Sequence, residues 1–185
     1  HQFLRRMARQ FRIYIVGGMV ERGPEKGRNV VLAFDPEGTL LGRAEKLHPF
    51  SLQKEDRHYE AGNEVVLFDL GGFRTSVFIC YDLRFPQLYR SLAQAGARFL
   101  TVPAAFTKVT GGAHWHTLLR ARAIENCCFV IAPCQTGHHY GKRYTCGHSL
   151  IIDPWGEVLA DGGDDVGFVM AEGDPARVDE VRAMI

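Results

Sequence analysis

A thiol placed where a strand gives way to a helix is the feature of this sequence best suited to chemistry. It occurs at Cys80, within Phe73–Arg90, FRTSVFICYDLRFPQLYR. The apolar run Val77, Phe78, Ile79 reads as a buried strand, and helical spacing follows through Leu88 and Leu92. At such a junction the first free backbone N–H groups point towards the side chain, so a thiolate is favoured and an oxyanion can be held nearby. Arg84, one turn on, adds to that field. The competing reading is a buried structural cysteine, because free cysteine is among the most buried residue types. Acyl transfer by a thiol also needs a base, oxyanion donors and an acid for the leaving group. Lys46, ending a strand in AEKLHPF, could supply positive charge to an oxyanion and lower the thiol pKa; Glu55, in KEDRHYEAG, could accept a proton. On spacing alone a solvated surface charge is the commoner fate of both residues.

The elements that must position these groups are legible from periodicity. An amphipathic helix carries Phe3, Leu4, Met7, Ala8 and Phe11, and a strand is expected over Ile13–Arg22. Strands at Val30–Phe34 and Thr39–Glu45 are joined by Asp35-Pro36-Glu37-Gly38, where Pro presets the turn and Gly closes it. The same device recurs as Asp153-Pro154-Trp155-Gly156, between His148–Ile152 and Glu157–Ala160. Further strands are expected at Val65–Leu70, Phe73–Ile79, Phe99–Val102, Phe129–Ala132 and Val166–Ala171, with a helix over Ala113–Cys127. Asp174-Pro175 reads as an N-cap followed by Pro at the first helical position. Alternating strands and helices between two hairpins imply α/β layers with a mixed sheet.

Composition narrows the class. The chain of 185 residues is long enough for one domain, residues 1–185, burying roughly 70% of its unfolded surface. With 22 basic against 21 acidic side chains, charge gives no support for a nucleic-acid partner. No apolar run is long enough to span a bilayer, so no membrane role is expected. Five cysteines, an odd number with no secretory signal ahead of them, read as reduced thiols in the cytoplasm. The chain opens and closes inside helical patterns, so both ends read as truncated.

Taken together, EKLH around Lys46, KEDRHYEAGN around Glu55, FICYDLRFPQLYR around Cys80, VPAAF at Val102–Phe106, AHWHTLLRARAIEN at Ala113–Asn126 and GHSLIIDPWGEVLA at Gly147–Ala160 resemble the nitrilase superfamily of carbon–nitrogen hydrolases. The resemblance implies an α-β-β-α sandwich and a homodimer or higher homo-oligomer. It makes Cys80 the nucleophile, Lys46 the lysine that steadies the tetrahedral intermediate, and Glu55 the additional glutamate beside that lysine. The Tyr81 backbone N–H would share the oxyanion hole, and Ala105, Phe106 and His116 would lie on the substrate side. Arg84 would tie the helix start to neighbouring carboxylates. The family's general-base glutamate lies on a strand ahead of the opening helix, and no residue here takes its place. The resemblance thus implies a partial, impaired enzyme, a reading that equal activity in a chain carrying the earlier strands would overturn.

The expected activity is hydrolysis of a small linear amide, preferably an ω-amide with a remote carboxylate or deaminated glutathione, by way of a thioester and with release of ammonia. An N-carbamoyl amide or a nitrile is the alternative substrate, although true nitrilases usually read C-W-E where this chain has Cys80-Tyr81-Asp82. A nitrilase-like binding module is the alternative of another class. No cofactor is implied, since side chains and water suffice. His114, His116, His138, His139 and His148 could suggest a metal, but His114 and His116 on one helix point to different sides, and no metal site is expected. Arg120, Arg122 and Glu125 read as a structural salt-bridge group, and Cys127, Cys128, Cys134 and Cys146, which form no CxxC pair, as core or near-core thiols.

Overall fold

The computed structural model describes residues 1–185. Its elements are α1 (Gln2–Phe11), β1 (Ile15–Arg22), β2 (Gly27–Phe34), β3 (Leu40–Glu45), β4 (Tyr59–Glu60), β5 (Leu67–Leu70), β6 (Phe73–Val77), α2 (Pro86–Gln94), β7 (Phe99–Thr101), α3 (Lys108–Asn126), β8 (Phe129–Ala132), β9 (Thr136–His138), β10 (Tyr144–Cys146), β11 (Leu150–Ile152), β12 (Val158–Asp161) and α4 (Ala176–Met184). Short 3-10 turns cover Ser51–Gln53, Glu55–Arg57 and Cys80–Arg84.

One sheet runs β1-β2-β3 with β4 parallel to β2; the other runs β12-β11-β8-β7-β6-β5, and β9 and β10 form a separate hairpin. In the larger sheet β6, β7 and β8 are parallel, while β5, β11 and β12 add antiparallel edges, a mixed sheet as the sequence implies. The run Val30–Phe34 in β2 is buried throughout because successive side chains serve opposite faces. Val30, Leu32 and Phe34 pack with Ala8 of α1, whereas Val31 and Ala33 pack with Phe68 of β5 and Val77 of β6. The far face of the second sheet is covered by α2 and α3 through a cluster that includes Leu83, Tyr89, Leu100, Trp115 and Leu119. The layer order is therefore helix, sheet, sheet, helix: an α-β-β-α sandwich.

The two Asp-Pro-x-Gly turns share one hydrogen-bond pattern. Asp35 Oδ1 accepts from Glu37 N and Thr39 N at 3.0 and 2.7 Å, and Asp153 Oδ1 accepts from Trp155 N and Glu157 N at 3.0 and 2.8 Å. Both turns close on a glycine at positive φ, Gly38 at 79° and Gly156 at 90°. The last expected strand, Val166–Ala171, does not form: Val166, Phe168 and Met170 alternate as a strand would, but no neighbour pairs with them and all three are exposed. The helix expected from Ala113 begins five residues earlier, at Lys108, because Gly111 and Gly112 do not break it. The α4 start falls one residue later than expected: Pro175 is the N-cap and Ala176 the first helical residue, while Asp174 Oδ1, one residue ahead of the cap, still accepts from Ala176 N at 2.9 Å.

Candidate active site

The carboxyl ends of parallel strands are the usual place for a ligand in an α/β sheet, and here the chain beyond β6, β7 and β8 lines one cavity of about 900 Å³. Cys80 follows β6, and its N–H donates to Pro103 O at 3.0 Å, so the strand's path continues one step past its last ladder pair. Its backbone then swings into the left-handed region, φ 53°, before the 3-10 turn and the Pro-started helix α2. A non-glycine residue held there costs about 1–3 kcal/mol, and the surrounding contacts must sustain it.

Asp82, unassigned from the sequence, supplies those contacts. Its carboxylate is buried and accepts from Ile79 N at 3.0 Å, His48 N at 2.9 Å and His48 Nδ1 at 2.9 Å. It thus joins the turn that carries Cys80 to the segment after Lys46. The signal was present: an acid in the first turn after a strand can reach back to free backbone N–H groups. Asp82→Ala should leave the buried Ile79 N–H and the half-buried His48 donors without their partner, so a stability loss of about 3 kcal/mol is expected as a lower urea midpoint.

Lys46 leaves β3 and is buried at 3% exposure. Its Nζ lies 2.5 Å from Glu55 Oε2, an oxygen that also accepts from Phe50 N at 2.5 Å. Lys46, Glu55, Cys80 and Tyr81 all line the cavity, as do Ala105 and Phe106, so six of the residues expected at the site come together. Glu55 is the one carboxylate in that lining. Glu21, by contrast, is held by Arg43 and His1 away from it.

The thiol departs from expectation. Burial pushes the Cys80 pKa up, and this outweighs the lowering by the Lys46 ammonium and by the Ala105 backbone hydrogen bond. A resting thiol, not a preformed thiolate, is therefore the stable state. A further cysteine, Cys134, lines the same cavity, and its Sγ lies 3.6 Å from Cys146 Sγ, a proximity that the sequence spacing did not suggest.

Other expectations are corrected. Arg84 meets no carboxylate; its guanidinium contacts His114 Nδ1 at 3.2 Å and lies over the Phe106 ring at 5.4 Å. His116 does not line the cavity, because its place on α3 turns it towards β11 and β12, where it meets Asp161. Arg122 does pair with Glu125 at 2.7 Å and also donates to Leu83 O at 2.9 and 3.1 Å, which braces the turn that carries Cys80 from α3. Arg120 stands apart from that pair and donates to Gly156 O at 2.8 Å.

The α-β-β-α sandwich sets a cysteine, a lysine and a glutamate around one cavity, and comparison with known proteins supplies the class. The family model for carbon–nitrogen hydrolases matches residues 1–183. A deaminated glutathione amidase from Synechocystis sp. is 43% identical over 98% of this chain and 71% of its own length. A 2-oxoglutaramate amidase from Bacillus subtilis is 41% identical over 99% of this chain and 70% of its own. The crystal structure of the Caenorhabditis elegans NitFhit protein superposes with a TM-score of 0.94 at 40% identity, covering 99% of this chain and 47% of that one. The chain belongs to the carbon–nitrogen hydrolase family.

Proposed function

We propose that this chain, read as one carbon–nitrogen hydrolase domain, is an amidase that hydrolyses a small carboxylate-bearing amide through Cys80. The observation that carries the reading is the convergence of Cys80 with the Lys46–Glu55 pair on one cavity. Cys80 Sγ attacks the amide carbonyl and its proton passes to a carboxylate, for which Glu55 is the candidate within the cavity. The Lys46 ammonium and the Tyr81 N–H receive the oxyanion. Collapse of the tetrahedral intermediate, with proton donation to nitrogen, expels ammonia and leaves a thioester. Water then attacks the thioester, giving the carboxylate product and the free thiol.

The named relatives act on deaminated glutathione and on 2-oxoglutaramate, and the charge of the cavity supports a similar substrate here. Lys54, Arg84 and Arg143 line it, and none of the three has an ion-pair partner. A cavity of about 900 Å³ also has room for a substrate of peptide size. Incubating the chain with deaminated glutathione, 2-oxoglutaramate and propionamide, and reading ammonia release and intact mass, tests the proposal. Ammonia from the first two with an acyl adduct on Cys80 is expected; equal turnover of propionamide would remove the carboxylate preference, and no adduct with any would favour a binding shell. Arg143→Ala should raise KM for the carboxylate amides about tenfold or more, as loss of a charged hydrogen bond does, with little change for propionamide.

Self-association as a homodimer or higher homo-oligomer and residence in the cytoplasm are part of the same proposal. Sedimentation equilibrium and cell fractionation test them. No helix is long and apolar enough to cross a membrane.

A further inference from the structure

Away from the cavity, His116 of α3, His148 ahead of β11 and Asp161 at the end of β12 converge so that their donor atoms all lie within 4.8 Å of one another. Asp161 Oδ2 is 3.0 Å from His116 Nε2 and 3.1 Å from His148 Nδ1. We propose that these three side chains bind a divalent transition-metal ion of the zinc type, which would clip α3 to the β11–β12 hairpin.

The geometry is close to what such an ion needs. Metal–nitrogen and metal–oxygen bonds of about 2.0–2.2 Å at tetrahedral angles separate neighbouring donors by about 3.3 Å, so Asp161 would move out by a few tenths of an ångström from each imidazole, while the two imidazole nitrogens, within 4.8 Å of each other, would adjust by side-chain rotation to close on the ion. Two imidazoles and one carboxylate favour zinc, cobalt or nickel over calcium or magnesium, which prefer all-oxygen sites. The side chains are 34–40% exposed, which leaves an approach for the ion and room for water in the remaining position.

The frame around the donors is already held. Trp115 Nε1 donates to His148 O at 2.7 Å, His148 N to Gly163 O at 2.6 Å and Gly163 N to Asp161 Oδ1 at 2.9 Å. Asp164 Oδ1 stands 3.9 Å from His148 Nε2, the ring nitrogen that does not face Asp161. A carboxylate behind a ligating imidazole is the supporting arrangement metal sites commonly use. None of the three donors lines the amidase cavity, so the inference does not depend on the proposed reaction.

The test is calorimetric titration of Zn²⁺ into the Cys80→Ala chain, with Co²⁺ absorption as a report on ligand type. Saturable one-to-one binding, cobalt bands without thiolate charge transfer and a rise in Tm with added zinc are expected. His116→Gln and His148→Asn should each weaken binding by at least the roughly tenfold that even loss of a supporting group costs. His116 is partly exposed, so its variant carries the test if the other is unstable. Absence of saturable binding, affinity unchanged in His116→Gln, or thiolate bands that place cobalt on the cysteines would overturn the site.

Discussion

Replacing Cys80 with alanine should lower amide turnover by about 10⁴-fold or more and abolish the acyl adduct, because Cys80 is the cavity thiol that stands beside the Lys46–Glu55 pair. Cys134 lines the same cavity, but its pKa is raised by the hydrogen bond with Cys146 and by burial, so it is poorly suited to substitute. Activity of Cys80→Ala within tenfold of the parent chain, measured as ammonia release, would refute the assignment. The left-handed backbone adds a second reading from the same position. Cys80→Gly should be equally inactive yet more stable than Cys80→Ala by about 1 kcal/mol in urea denaturation, since glycine relieves the cost of φ 53°.

Lys46→Met should lower kcat about 10²–10³-fold, the usual cost of losing one oxyanion donor, while the chain stays folded by circular dichroism. Some loss of stability accompanies it. The Lys46–Glu55 pair is largely buried, and Glu55 would keep only the Phe50 N–H, so about 3 kcal/mol is expected, the lower end for breaking such a pair. The pH dependence of Cys80 alkylation separates the electrostatic role from a packing role. Desolvation already holds the thiol above its ordinary pKa, and the Lys46 charge is the largest influence lowering it. Without that charge the thiolate forms at still higher pH. Alkylation by iodoacetamide at a fixed pH near neutrality should therefore slow, and the rate profile should move to the alkaline side. A profile that stays in place, or moves to lower pH, would show that Lys46 does not act on the thiol.

Much of the scaffold follows from local pattern. The continuous apolar run Val30–Phe34, the two Asp-Pro-x-Gly turns and the switch from strand to helical spacing at Cys80 are short-range properties, decided by side-chain type and period, proline φ and glycine freedom. They mark Cys80 as the residue at a strand end. For Val166–Ala171 local alternation is not enough, because a strand needs a hydrogen-bonding neighbour and none is present there. The helix over 108–126 began earlier than expected because packing on the sheet tolerates glycines that local preference would place in a loop.

The meeting of parts belongs to the tertiary structure. Lys46 and Glu55 come from the first sheet's edge and a 3-10 turn, Cys80 from the second sheet, and only the stacking of the two sheets sets them around one cavity. Burial, a property of the packed whole, raised a thiol pKa that the local helix-start argument would have lowered. The same holds for His116, whose neighbours in space, His148 and Asp161, lie 32 and 45 residues away along the chain. Sequence spacing thus identified the reactive residue types and the strand end that carries the thiol, while the fold decided which charges face it, because electrostatics and desolvation depend on distances across the molecule.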